Sequence, residues 1–273
     1  MVVQSIVDVQ SSMEEKVQHA KDLISEAVKT YPRIGVACSF GKDSMVTVHI
    51  ARQSKPDIKV FSVMTQFKPP ETLEYLRKMN DQWNLNITVY LVADSVPEIL
   101  KSPNITVRLL PAAEFNQKAA EVEEKTGKKI YKADPDECCR MLKVDPTKVA
   151  VANLDAWITG LRNTEGRTRV DYQEVEEKGG LIKINPILTF TETDVWRYMA
   201  LNGIEPHPWY GKGYRSLGCA PCSHPGGVME RDGRWQDTSK CGGECGIHTQ
   251  TLKCAPASAP GCYFQAGETK NVS

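Results

Sequence analysis

Apolar side chains at Met13, Val17, Ala20, Leu23, Ile24, Ala27 and Val28 recur at helical spacing behind Ser12 and Glu15, which together have the form of a capping box. They predict an opening helix. Ile34 to Cys38 is a short β-prone run, followed by a Ser/Gly turn and then by Met45, Val46, Val48 and Ile50 at helix-compatible spacing. The same strand, loop and helix sequence repeats with Ile58 to Val63 and a helix from about Pro70. It begins again at Ile87 to Val92. Repetition of this kind predicts βαβ units around a parallel sheet, a doubly wound, mostly parallel α/β core. Asp134-Pro135-Asp136-Glu137 reads as a further helix start, with Asp134 as N-cap and Cys138 and Cys139 in the first turns. Ala156 to Leu161 is a second buried strand pattern, and Thr191 to Asp194 caps a helix carrying Val195 and Met199. No internal repeat of solenoid length is present.

After about Ile204 the periodicity fades. Residues 1–204 are expected to form the α/β domain, and 205–273, rich in Gly, Pro and Cys, an irregular extension organised by a cofactor or by docking on the core. Its last stretch, Ala255 to Ser273, is expected to be mobile. The chain has 273 residues, 34 Lys+Arg against 34 Asp+Glu, and is 41% hydrophobic, which excludes collagen-like and disordered classes. At this size roughly 75% of the unfolded surface can be buried, so the nine cysteines are not needed as staples. No basic-then-apolar segment opens the chain and no apolar run approaches the roughly 18 residues of a spanning helix, so the expectation is a cytoplasmic protein, not a membrane one. Thiols stay reduced in that compartment, and clustered cysteines then suggest metal or catalysis. Zero net charge argues against nucleic acid as a partner, while leaving an anionic small substrate open.

Three segments carry candidate chemistry. Ser39-Phe40-Gly41-Lys42-Asp43-Ser44 joins a strand to a helix, where backbone N–H groups, the helix dipole and the donors of Ser39, Lys42 and Ser44 favour an anion. An ordinary serine-capped turn is the competing reading. The glycine spacing is not that of a Walker loop, and the segment instead resembles the PP-loop of the adenine-nucleotide α-hydrolase-like superfamily. Cys138-Cys139 and Cys219-Ala220-Pro221-Cys222 supply four thiols in two tight pairs, the complement of tetrahedral zinc or of a 4Fe-4S cluster. Neighbouring side chains diverge along a chain, so the separated corners of a cluster suit adjacent cysteines better than one zinc ion does. Uncoordinated structural thiols are the third reading. In Glu244-Cys245-Gly246-Ile247-His248, Cys245 is a candidate nucleophile whose thiol could be acidified by His248, Arg231, Arg234 or Lys240. A further metal ligand or a surface thiol would look the same.

Together these segments resemble the sulfonucleotide (PAPS/APS) reductase family from about Cys38 to His248. The resemblance also rests on Pro70-Glu71-Thr72, on Arg140 and Lys143 after the paired cysteines, and on Gly160-Leu161-Arg162. Asn185-Pro186-Ile187, the Gly218 that precedes Cys219, and Gly233-Arg234-Trp235 complete it. The double cysteine with the CxxC is similar to the cluster-containing branch, which reduces adenosine 5′-phosphosulfate (APS); the branch using 3′-phosphorylated PAPS usually lacks all four thiols. Three features depart from the family pattern. Lys42 is more like the ATP pyrophosphatases. Met64-Thr65-Gln66 stands where Asp-Thr-Gly is common, with Thr65 kept as a candidate substrate contact. Cys241, Cys254, Cys262 and the long tail after His248 have no counterpart.

The resemblance implies an adenosine in the crevice above the sheet, its α-phosphate on the Ser39–Ser44 loop and its sulfate facing Lys143, Arg162, Arg231, Arg234 and His248. Cys245, with His248, is implied as catalytic, passing through a cysteine S-sulfonate that a thioredoxin- or glutaredoxin-type dithiol resolves to sulfite. The four thiols are implied ligands of a 4Fe-4S cluster, with Lys143 linking it to the substrate, and a homo-oligomer is possible. Arg167 and Arg169 are either solvated or substrate-facing, His207 and His224 are read as loop residues, and Trp157 and Trp196 as core. Two rivals stand: a PAPS reductase retaining a cluster, and a non-reductive PP-loop ATP pyrophosphatase, such as a sulfate-adenylating or sulfur-transfer enzyme, which Lys42 favours. A zinc-binding module without activity would leave the loop unexplained.

Overall fold

A computed structural model describes residues 12–241, 243–244 and 246–252, with only the backbone of Arg167. Seven strands form one sheet in the order β4-β3-β2-β1-β5-β7-β6. They are β1 (Ile34–Ala37), β2 (Lys59–Thr65), β3 (Thr88–Val92), β4 (Thr106–Leu110), β5 (Ala156–Ile158), β6 (Val175–Lys178) and β7 (Leu181–Ile184). All pairings are parallel except that of β6 with β7, an antiparallel hairpin at one edge. The period-two pattern of the inner strands explains why both faces are covered. Ile34 and Val36 of β1, Val60 and Met64 of β2, and Val89 and Leu91 of β3 enter one core, together with Ile24, Ile50, Leu76, Ile87 and Val195. Phe61, Val63 and Tyr90 point the other way, onto Val144, Val151 and Leu154.

The first face is built by α1 (Met13–Thr30), α2 (Lys42–Ser54), α3 (Pro70–Trp83) and α8 (Glu192–Leu201). α1 starts on the full capping box of Ser12 and Glu15, and α8 on one made by Thr191 and Asp194. The second face carries α4 (Ala113–Thr126), the short α5 (Ile130–Ala133), α6 (Pro135–Cys139) and α7 (Asp145–Val151). A π-turn over Arg140–Val144 connects α6 to α7, with the Asp145 N–H reaching back to the Arg140 carbonyl. Such wide turns are frequent at functional sites, and this one carries Lys143 immediately behind the paired cysteines. The chain runs out from β1 to β4 on one side and then returns to place β5 against the other side of β1. The crevice at this reversal is where open α/β sheets take ligands. Beyond α8 the described residues are irregular, with short 3-10 turns at Pro208–Lys212 and Ala220–Cys222, and they pack over the carboxyl ends of β1, β2 and β5. The division at residue 204 is therefore one of secondary-structure content. Residues from both sides of it line one cleft.

Candidate active site

The loop between β1 and α2 forms the floor of that cleft. Ser44 Oγ organises it, donating to the Gly41 carbonyl at 2.9 Å and accepting from the Ser39 N–H at 3.2 Å. Phe40 has φ +64°, a left-handed conformation that costs energy for a non-glycine residue. Its buried ring, edge-on to Tyr75 at 6.2 Å, holds it there. Gly160, at the end of β5, presses against this loop: a Cβ on it would lie 2.9 Å from the backbone of Asp43 and Ser44. Ser39, Gly41, Asp43 and Ser44 line the cleft, whereas Phe40, Lys42 and Arg162 do not. Lys42 Nζ turns beneath the loop to Glu230 Oε2 at 2.6 Å and Asp43 Oδ2 at 3.2 Å. Arg162, fully buried, reaches Asp43 Oδ1 at 2.5 Å and the same Glu230 oxygen at 2.6 Å. Burial alone would lower the Lys42 pKa, but Asp43, Tyr210 and Glu230 more than offset it and the amine stays charged. These two cations brace the loop from behind.

A second buried network lies beside it. Arg169 pairs with Glu165 and with Glu244 Oε1 at 2.6 Å, and Arg231 with Glu165 at 3.3 Å and Glu244 at 3.4 Å. Arg231 also donates to the Gly243 carbonyl at 2.5 Å. Arg169 is thus neither a solvated loop charge nor an unneutralised cation on the wall. Its burial with Glu244 ties the segment ahead of residue 245 to the core. Cys245 itself, like Cys254, Cys262 and the tail expected to be mobile, lies outside the described residues. His248 lines the cleft, its ring stacked on Trp157 at 6.1 Å with 15° between the planes. Burial, reinforced by Lys183 and Arg169, holds its imidazole well below the usual histidine range, so the ring is neutral at pH 7. Its place among the sulfate-facing cations is therefore that of an uncharged hydrogen-bonding group. Trp157 is buried as expected, yet it also forms wall.

The cleft has two ends. Phe61, Val63, Trp157 and Ile247 make an apolar wall, and Lys68, Lys143, Arg169, Arg231 and Arg234 line it together with the carboxylates Asp43, Glu165 and Glu244. Five cations against three carboxylates leave an excess of positive charge for an anion. Trp235 is the hub of the basic end. Arg234 lies 4.4 Å from its ring centre, and Lys240, Arg231 and Lys143 lie 5.6 to 5.8 Å away. Gly218 is needed beneath this stack, because a Cβ there would fall 1.8 Å from an Arg234 nitrogen.

On the far side of Trp235, Cys138, Cys139, Cys219 and Cys222 line one small buried cavity. Burial and then the neighbouring thiols push the Cys138 pKa up, and burial with Cys219 raises Cys222 to about 11. Cys219 is also buried, but Lys143, Lys68 and the Thr65 hydroxyl at 3.2 Å bring it below the usual thiol value. Thr65 therefore faces the thiols and does not line the cleft. No group of three or more ligating side chains among the described residues is arranged for a single metal ion. An all-sulfur donor set spread round a cavity suits a polynuclear cluster, whose metal corners are separated, better than one zinc. The residues present thus fit a 4Fe-4S group. Lys143 lines both this cavity and the cleft.

Some residues of the site had no signal in the pattern. Glu165, Glu230 and Tyr210 bind partners far along the chain, Tyr210 accepting the Lys42 N–H at 2.8 Å. His207, read as a loop residue, is buried: Nδ1 accepts from the Trp209 N–H and Nε2 lies 3.0 Å from the Thr72 hydroxyl.

The mostly parallel sheet, with helices on both faces and a crevice at the strand-order reversal, is an α/β fold of the PP-loop type. Residues 33–225 match the phosphoadenosine phosphosulfate reductase domain, and the chain belongs to that family, as an oxidoreductase acting on a sulfur group. It is 32% identical over 249 residues to adenosine 5′-phosphosulfate reductase of Bacillus thuringiensis (strain Al Hakam), covering 89% of this chain and 96% of that protein. Adenosine 5′-phosphosulfate reductase 1 of Bacillus subtilis (strain 168) is 31% identical over 78% of this chain and 82% of its own. Among solved structures, a phosphoadenylyl-sulfate (PAPS) reductase from Candida auris in complex with phosphate shares the fold, with a TM-score of 0.57 at 19% identity, over 78% of this chain and 96% of that one.

Proposed function

We propose that the protein reduces adenosine 5′-phosphosulfate to sulfite and AMP at the expense of a dithiol. One observation carries the reading: a single cleft joins the β1–α2 loop, a basic wall around Trp235 and the residues Glu244, Ile247 and His248, and shares Lys143 with a cavity of four thiols. The adenosine would lie on the apolar wall of Phe61, Val63 and Trp157, its phosphate on the loop at Ser39, Gly41 and Ser44. The sulfate would face Lys143, Arg231 and Arg234. Those cations lower the repulsion between an incoming thiolate and an anionic sulfuryl group. Cys245 would attack sulfur, the bond from sulfur to the bridging oxygen would break, and AMP would leave with that oxygen. A dithiol of the thioredoxin or glutaredoxin type would then attack the cysteine sulfur, expelling sulfite and leaving a mixed disulfide that its second thiol resolves. Both electrons come from the dithiol. Neutral His248 would donate a hydrogen bond to a sulfate or leaving oxygen.

Cys138, Cys139, Cys219 and Cys222 would hold the 4Fe-4S cluster, which when bound would supply a fixed charge beside the basic end of the cleft. Lys143 would transmit that charge to the sulfate. Lys42 and Arg162 are reassigned from substrate contact to bracing the loop. The test is anaerobic incubation of the full chain with APS or PAPS and reduced thioredoxin, with sulfite and AMP measured. The expected result is stoichiometric sulfite and AMP from APS, with much less from PAPS; pyrophosphate released from ATP in place of sulfite would contradict the reading.

A further inference from the structure

Lys42 sits at the first position of α2, where a flexible amine beside free helix N–H groups would normally extend an anion site to a second phosphate. Here it does the opposite. Its side chain is 1% exposed and its Nζ is bound by Glu230, a residue of the irregular C-terminal part 188 positions away. The same Glu230 oxygen accepts from Arg162 at 2.6 Å, and Asp43 bridges the two cations from the other side. Two carboxylates against two cations close this group to zero net charge. Even the N–H of Lys42 is spent, on the Tyr210 hydroxyl.

From this arrangement we infer that Glu230 is a specificity-determining residue: its carboxylate takes the place that a second phosphate would need, so the loop accepts one phosphate and rejects pyrophosphate and nucleoside triphosphates. The inference rests on the reading of the loop as the site of the substrate's single phosphate. Inorganic pyrophosphate could gain Lys42 and Arg162 only by displacing a buried carboxylate from two contacts of 2.6 Å. A lysine that favours an ATP-splitting enzyme when read in the sequence is, in the folded chain, occupied by an internal anion.

The test is calorimetric titration of the full chain with AMP, orthophosphate, pyrophosphate and ATP, for the wild type, Glu230→Gln and the double variant Glu230→Gln/Lys42→Met. Wild type should bind AMP but bind pyrophosphate no more tightly than orthophosphate. Glu230→Gln should gain at least tenfold in affinity for pyrophosphate and ATP relative to AMP, and the double variant should lose the gain. If Glu230→Gln does not fold, Glu230→Asp, which withdraws the carboxylate by one methylene, should still gain threefold. Tight, Lys42-dependent binding of pyrophosphate by the wild type would overturn the inference, as would a folded Glu230 variant with no gain. Wild type that binds AMP yet yields no sulfite from APS would sink the reductase reading and leave the role of Glu230 standing.

Discussion

Single residues decide how the loop over β1 presents itself. Gly160 is one, because only a residue without Cβ allows the end of β5 to lie against the backbone of Asp43 and Ser44. Gly160→Ala should push the loop by several tenths of an ångström while leaving the sheet intact. Nucleotide affinity should fall about tenfold, near 1.4 kcal/mol, with little change in melting temperature; equal affinity in a titration with AMP would show that the close approach is immaterial. The candidate residues were legible in unequal measure at this scale. Ser39, Gly41 and Ser44 could be read from strand, loop and helix context. The burial of Lys42, Arg162 and Arg169 could not, since their partners Glu230, Glu165 and Glu244 include residues up to 188 positions distant, and no local pattern encodes an ion pair across that separation.

At the level of elements, period and capping revealed α1, α2, α3, α8 and four of the five inner strands, β1, β2, β3 and β5, the last shortened from the expected Ala156–Leu161 to Ala156–Ile158. Two of the three strands that escaped notice lie at the edges of the sheet, and the third, β7, has only four residues. β6, Val-Glu-Glu-Lys, is an edge strand that turns Val175 and Glu177 to water and Glu176 inward to Lys183, so it lacks the apolar alternation that marks a half-buried strand. β4, at the other edge, buries only Val107. The segment over α3 offers a pH test. Burial, then Lys68, lowers His207 to about 4, consistent with an Nδ1 that must stay unprotonated to cap the Trp209 N–H. Unfolded histidine titrates near 6.5, so the unfolded chain takes up the proton first and stability is full only above that value. About 2–3 kcal/mol should be lost as pH falls from about 6.5 to 4. Denaturant titrations of wild type and His207→Gln should show a shallower acid slope in the variant; parallel slopes would exclude His207 as the source.

Across the whole molecule, Trp235 and Lys143 stand between two functional compartments, the cleft and the thiol cavity. If the four thiols hold a 4Fe-4S group, anaerobically purified protein should contain about four iron and four sulfide per chain and absorb in the visible. Serine at any one of Cys138, Cys139, Cys219 or Cys222 should remove iron and lower the soluble yield together, since both cysteine segments close the same wall. Stoichiometric zinc without sulfide would refute the assignment.

The proposed transfer of the sulfuryl group from a nucleotide to a thiol of this chain leaves a covalent mark, which mass spectrometry of the protein after incubation with APS and no reductant detects. One added SO₃ is expected on the peptide spanning Glu244 to His248, removed by reduced thioredoxin, with no adduct in Cys245→Ser, whose hydroxyl is hardly ionised near neutral pH. An adduct on Cys241, Cys254 or Cys262, or sulfite formed by the Cys245→Ser protein, would contradict it.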